Sequence, residues 1–310
     1  MPLAWRALTL HDVPALTALV NAAAAADGTG RPVEETSVAE RLEAPRFDPA
    51  TDSVGVWDGG DLVAAGTTWV SEQPVEGHAL VGLSGDVHPQ HRGGGIGRDL
   101  LTWLERRGAA MAQERLPGVP VRLRTAGGAP GSATQRLLEI AGYAPDNSFI
   151  TMEVDLPAWR DPGEQSAAVP LDADLQVATR DAHNDAFRDH RNASPVPEDV
   201  WAHWMSSSAS RHDIGRVVTD EHGTVLAYAL VSEPQPGVAH IELLGTRRGA
   251  RGRGLARAVL LGTLRAAREA GFALAELEVD SASPTGADRL YASVGFAPVR
   301  TISRYVRDLT

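Results

Sequence analysis

Arg251-Gly252-Arg253-Gly254-Leu255-Ala256 is the stretch that decides the fold. A glycine-rich turn that opens a helix gathers unpaired backbone N–H groups and the positive end of the helix dipole at one spot, which makes an anion site. The residues around it fit that reading. Ala239 to Thr246 reads as a strand entering the turn, and Arg257 to Ala270 as the helix leaving it. An apolar strand follows, Leu274 to Val279, and then Arg289-Leu290-Tyr291-Ala292-Ser293-Val294-Gly295-Phe296.

The same order occurs earlier in the chain, and internal repetition is the first thing to seek in a sequence. His78 to Val87 reads as a strand that runs into His88-Pro89-Gln90-His91-Arg92-Gly93-Gly94-Gly95-Ile96-Gly97. The helical run Arg98 to Gln113, the strand Val119 to Leu123 and the segment Gln135 to Tyr143 complete the parallel. The flanks repeat as well. Ala4 to Thr9 is read as a strand, Asp12 to Ala26 as a helix capped by Asp12 and ended by Gly28, and Val33 to Leu42 as a second helix. Ser53 to Trp57 and Leu62 to Val70 form a hairpin across Asp58-Gly59-Gly60-Asp61. The later counterparts are a strand Leu175 to Thr179, helices Asp181 to His190 and Pro197 to Ser206, and the hairpin Asp213 to Thr219 with Val225 to Ser232.

The ordered set of turn, helix, strand and Leu-Tyr…Gly-Phe resembles the GCN5-related N-acetyltransferase (GNAT) superfamily. The resemblance, present twice, implies an α/β fold with a mixed sheet in each of two tandem GNAT (acyl-CoA N-acyltransferase) domains, at 1–156 and 175–310. The stretch 157–174, with Pro157, Pro162, Gly163, Pro170 and little apolar periodicity, has the composition of an exposed linker.

Composition narrows the function. There is no cysteine, hence no disulfide framework, zinc-thiolate site or cysteine nucleophile. No apolar run reaches the roughly 20 residues of a membrane span, and the first residues lack the pattern of a signal peptide, so the expected location is the cytoplasm. The net charge of −11 argues against nucleic acid or an anionic membrane as partner. All the basic residues are arginine, and Arg247, Arg248, Arg251, Arg253 and Arg257 crowd around the second turn, where they read as neutralising phosphates.

The resemblance assigns roles. It implies acetyl-CoA as cosubstrate, with its pyrophosphate held by Arg251, Gly252, Arg253, Gly254, Leu255 and Ala256. Its pantetheine arm would pair along the preceding strand, at Leu244 and Thr246. Many members carry an asparagine in the loop before the last helix, where this chain offers Ser283. Tyr291 corresponds to the general acid that protonates the leaving thiolate, and a phenol of pKa about 10 is protonated at neutral pH. The strand positions that face the active site in the family are His240 and Glu242, either of which can accept the amine proton. The first half offers a second candidate nucleotide turn, Val87, Arg92, Gly93, Gly95 and Gly97. Its counterparts of the acid and base positions are Leu138, Val81 and Leu83, which transfer no protons. The expectation is a catalytic second half and a noncatalytic first half.

The acceptor is less legible. His183, Asn184, Phe187 and His190, then Trp201, His203 and Trp204, lie on the helices that shape the acceptor pocket in this fold, and an aromatic wall suits an apolar or cationic amine. The histidines have no metal-ligand spacing. A primary amine of a small molecule is the expected substrate. The tandem arrangement is also similar to that of mycothiol synthases, which acetylate a cysteinyl pseudodisaccharide, although His240 stands where those have glutamate. A nonenzymatic acyl-CoA-binding or sensing protein is the alternative from another class, and the joint presence of Tyr291, His240 and Glu242 weighs against it.

Overall fold

The computed structural model describes residues 3–28, 31–188, 194–281 and 286–309. It divides into two compact units, 1–148 with 302–310, and 149–301.

In chain order, β1 (Ala4–Arg6), α1 (Val13–Asp27), α2 (Glu35–Leu42), α3 (Pro49–Asp52), β2 (Ser53–Asp58) and β3 (Asp61–Val70) come first. They are followed by β4 (Ala79–Val87), α4 (Ile96–Arg115), β5 (Val121–Ala126), α5 (Ala133–Ile140) and β6 (Ala144–Asp155). Then come β7 (Val169–Pro170), α6 (Gln176–Ala186), α7 (Glu198–Ser206), β8 (Arg216–Thr219), β9 (Val225–Ser232) and β10 (Val238–Thr246). The chain closes with α8 (Leu255–Glu269), β11 (Leu274–Asp280), α9 (Ala287–Ser293) and β12 (Ala297–Leu309).

Unit 1 orders its strands β1-β2-β3-β4-β5-β12, antiparallel except for the parallel pair β4–β5. Unit 2 orders them β6-β11-β10-β9-β8-β7, with β10–β11 the parallel pair. The repetition read from the sequence is therefore repetition of topology. In unit 1, α4 buries Leu100, Leu104 and Met111 against Val81, Leu83 and Leu123. In unit 2, α8 does the same with Val259, Leu260 and Leu264 against Ala239, Ile241 and Leu277. Among the described residues no helix is long and apolar enough to cross a membrane.

Several expectations are revised. The unit boundary falls at 148 rather than 156, and the last residues, 302–310, return to unit 1. The reason is a pair of long strands that the repeat motif does not include. The last turns of β12 pair with β5, Arg304 to Leu309 against Ala126 to Val121. The end of β6 pairs with β11, Phe149 to Asp155 against Asp280 to Leu274. The segment 157–174 is not a free linker but a strap on unit 2. Trp159 is buried and donates its indole N–H to the Val294 carbonyl at 2.7 Å. Asp161 grips Arg265 through both carboxylate oxygens at 2.7 Å, Glu164 grips Arg257 at 2.7 and 2.9 Å, and Ser166 donates to the Ala258 carbonyl. Its prolines and glycine limit strand structure to two residues, but they do not prevent packing. Leu175 to Thr179 is the entry to α6 rather than a strand, and the short strand β7 comes from within the strap. Asp12 does not cap α1. Its carboxylate turns back to the Thr9 N–H and to both terminal nitrogens of Arg6, which hold it down at about 2. Gly28 ends the helix in the left-handed conformation, as its position implies.

Candidate active site

The site in unit 2 is made by a fault in the sheet. β10 pairs with β11 only from Val238–Leu274 to Ile241–Leu277, although both strands continue. Where the ladder stops, β10 carries a bulge, its register against β9 shifting between Ile241 and Leu243. A bulge places an extra residue on one strand and turns the following side chains over. Ile241 and Leu244 point into the core under α8, while Leu243 packs on the opposite side with Tyr228 and Leu230. His240 and Glu242 face that second side together, their Nε2 and Oε2 atoms 3.8 Å apart. In unit 1 the matching pair has no such shift, β3 and β4 staying in register from Ala64–Val87 to Val70–Val81. Val81 and Leu83 remain in the core there. The inert residues of the first half thus belong to a strand that never turns them outward.

Between the parted strands lies a cleft of about 690 Å³. His240, Glu242, Leu244 and Thr246 line one wall, Glu278 and Asp280 another, and Tyr291 a third. It ends at the turn, with Arg251, Gly252, Gly254, Leu255 and Ala256 on its surface. Of the residues expected to hold the cosubstrate, Arg253 is exposed but off this wall, and Ser283 lies outside the described residues, as does His190.

The turn has the form an anion site requires. Gly252 (φ 74°) and Gly254 (φ 76°) are left-handed, a conformation that costs a residue with a Cβ. No side chain caps α8, so its first N–H groups point into the open. Thr246, just before the turn, has a buried hydroxyl without a hydrogen-bond partner. The arginine cluster, in contrast, is largely committed to the protein. Arg247 donates to the Val225 carbonyl, Arg248 approaches Asp185, Arg251 donates to the Ala186 carbonyl and Arg257 pairs with Glu164. The clustering read as phosphate neutralisation is in good part strap and helix anchoring.

The turn in unit 1 is built alike, with Gly93 (φ 83°) and Gly95 (φ 91°) left-handed and α4 uncapped. Val87 and Gly97 approach each other behind it. Here Arg92 is already held by both oxygens of Asp27, at 2.6 and 2.9 Å. Leu138, the counterpart of Tyr291, is buried in the core.

Tyr291 sits edge-on to Phe296, their rings 6.1 Å apart. Burial pushes its hydroxyl up to about 12, so it is a neutral donor at physiological pH. His240 has a partner that the sequence reading missed. Its Nδ1 lies 3.1 Å from Oε1 of Glu276, its register partner on β11. Burial alone would lower the His240 value, but the hydrogen bond to Glu276 and the charges of Glu242, Glu276 and Glu278 outweigh it and the value is raised. Ser232, opposite His240 on β9, donates its hydroxyl to Oε1 of Glu242 at 2.5 Å. The only sequence sign of Glu276 was a charged residue inside an apolar strand.

The aromatic helices divide. Trp201 is a core residue, its indole N–H bonded to the Gln176 carbonyl, whereas Trp204 is partly exposed and Phe187 reaches the cleft. His183 stacks on Phe187 and its Nδ1 is 2.6 Å from the Tyr228 hydroxyl. Burial lowers His183 to about 4, so it is neutral. The Tyr228 ring lies under Gly245, where a Cβ would come within 2.5 Å of it.

The acetyltransferase (GNAT) family model matches residues 177–296, all within unit 2. No curated protein matches the sequence. The fold of the whole chain is that of a GCN5-related N-acetyltransferase from Sphaerobacter thermophilus, at 24% identity, TM-score 0.76, and coverage of 99% of this chain and 95% of that one. It is also that of a tandem GNAT protein from the clavulanic acid biosynthesis pathway, at 17% identity, TM-score 0.69, and coverage of 99% and 98%. Saccharomyces cerevisiae N-myristoyltransferase shares it at 11% identity and TM-score 0.71, with 99% of this chain and 79% of that one covered. Residues 177–296 of unit 2 thus carry the match to the acetyltransferase (GNAT) family model, and the chain as a whole has the fold of tandem GNAT proteins.

Proposed function

We propose that the chain is an N-acetyltransferase that moves the acetyl group of acetyl-CoA to a primary amine of a small molecule, with the chemistry in unit 2. The observation that carries this is the convergence of His240, Glu242 and Tyr291 on one cleft that ends at the glycine turn.

The residues present fit the cosubstrate. The buried Thr246 hydroxyl without a partner and the uncapped start of α8 are donors awaiting an acceptor, and phosphate oxygens are acceptors. The edge of β10 from Leu244 to Thr246, unpaired on its β11 side, can take an amide-bearing arm as an added strand. Arg251, Gly252, Gly254, Leu255 and Ala256 would surround the pyrophosphate, with Arg253 beside it. When bound, acetyl-CoA supplies the thioester carbonyl that an amine attacks.

The side chains do the rest. His240 or Glu242 takes the amine proton, because only a neutral amine is a nucleophile. A backbone N–H of the bulged strand stabilises negative charge on the carbonyl oxygen. Tyr291 gives its proton to the sulfur. At the matching positions unit 1 has Leu138, Val81 and Leu83, and Arg92 is already paired with Asp27, so unit 1 serves as a noncatalytic partner domain.

Calorimetric titration of acetyl-CoA into wild type, Gly254→Glu and Gly95→Glu tests the assignment, followed by a screen of primary amines for thiol release. Binding should be lost in Gly254→Glu and kept in Gly95→Glu. The reverse result would move the site to unit 1 and remove the catalytic residues named here.

A further inference from the structure

Glu276 is the most buried carboxylate of the cleft region, 9% exposed, on a strand whose neighbours Ala275, Leu277 and Val279 are core residues. A carboxylate in that position is expensive unless hydrogen-bonded to a partner. One partner is His240, and that contact is fixed by the sheet itself. The two residues are opposite one another in the parallel ladder, next to the last pair before the strands part.

An ionised carboxylate only accepts hydrogen bonds, so the nitrogen facing it must donate. Nδ1 therefore carries the proton, and in the neutral ring Nε2 carries the lone pair. Nε2 is the atom on the Glu242 side, where the cleft lies. Glu242 is differently placed. It is about half exposed, and one of its oxygens is taken by the Ser232 hydroxyl. The Ser232 hydroxyl occupies a lone pair that an incoming proton would need on that oxygen.

We propose that Glu276 is a positioning residue that holds His240 in the Nδ1–H tautomer, that Nε2 of His240 is the atom that takes the amine proton, and that Glu242 holds the arriving ammonium. This rests on reading the cleft as an acetyltransferase site and separates the two candidate bases. The ammonium first releases one proton to solvent; as the neutral nitrogen's pair then forms the amide bond, a second N–H bond breaks and its proton binds the Nε2 lone pair. The carbon–sulfur bond breaks with its pair going to sulfur, which takes the Tyr291 proton. The imidazolium then has one N–H toward Glu276 and one toward Glu242, and solvent carries its proton back to the phenolate.

The charged groups around the ring are Glu276 and Glu278 on β11 and Glu242 on β10, all of which favour the protonated ring. Beyond Glu276, its register partner on β6 is Glu153, and Arg300 bonds to Thr151 on that strand.

The test is the ¹⁵N spectrum of the histidine rings against pH, for wild type, His240→Gln and Glu276→Gln, each with and without acetyl-CoA. The signal missing in His240→Gln belongs to His240. In wild type it should show a protonated Nδ1 and a bare Nε2 when neutral, and titrate above the ordinary value of about 6.5. In Glu276→Gln the midpoint should move down and the two tautomers should mix. A neutral wild-type ring protonated at Nε2 overturns the proposal. So does an unmoved midpoint in a Glu276→Gln variant that melts as wild type does. If that variant does not fold, the wild-type tautomer alone decides. Acetyl-CoA that fails to bind wild type would instead sink the acetyltransferase reading, whatever the ring does.

Discussion

Tyr291 and His240 make separable demands on pH and on turnover. Replacing Tyr291 by Phe removes one oxygen and leaves the ring against Phe296. Turnover should fall by about 10²–10⁴-fold, the usual worth of a positioned acid, with acetyl-CoA affinity unchanged by calorimetry. Leu138→Ala, at the matching place in unit 1, should leave turnover per folded molecule intact. His240 is raised above the ordinary imidazole range, and a base works only when deprotonated. The acid limb of kcat/KM for whichever primary amine is accepted should therefore lie above the usual histidine range, with activity rising as pH rises through it. His240→Gln should abolish that limb. The family resemblance marked Tyr291, His240 and Glu242 by their places relative to the turn, and the three line one cleft. Glu276 was not legible in the sequence, since its importance comes from a cross-strand register that no local pattern encodes. The arginines misled for a similar reason. Their partners Glu164 and Asp185 lie far away in sequence.

At the scale of elements, the strap and the bulge each have a consequence. The strap is fastened by Trp159, which is buried, bonded to the Val294 carbonyl and covered by the Arg268 guanidinium at 5.1 Å. Trp159→Ala should destabilise unit 2 by about 3–5 kcal/mol, measured by urea unfolding, the range for deleting a large buried aromatic. Asp161, held down to about 2 by Arg265 first and then by the Gly163 N–H, adds stability that is present above the ordinary aspartate value and lost as pH falls through the depressed one. Asp161→Asn should remove that part of the acid dependence. The bulge has no residue signature that sets it apart in sequence, which is why the outward turn of Glu242 could be inferred only from family position. Helices and hairpins announced themselves better. The Asp58 to Asp61 turn and the apolar faces of α4 and α8 are local patterns, and local patterns survive folding. The strap was misread because proline and glycine report on backbone regularity, whereas its packing depends on Trp159 and three polar side chains.

For the whole molecule, the two-fold repetition was plain in the sequence but the boundaries were not. Each unit is closed by a strand that the other end of the repeat supplies in the chain, so 1–156 expressed alone lacks the β12 segment that pairs with β5. Such a fragment should fail to give a cooperative melting transition, and a synthetic peptide of residues 297–310 should restore one when added. A fragment that melts like the full chain without the peptide would contradict the pairing. The same feature sets a schedule for the living cell. The ion pair Arg122–Asp308 joins residues 186 positions apart, so the ribosome must finish nearly the entire chain before unit 1 can close. At ordinary translation speeds that is a delay of roughly 10–40 s, during which β5 offers a bare edge to any neighbouring nascent chain. The yield of soluble protein should therefore respond to translation rate and chaperone supply more than to the stability of the finished molecule.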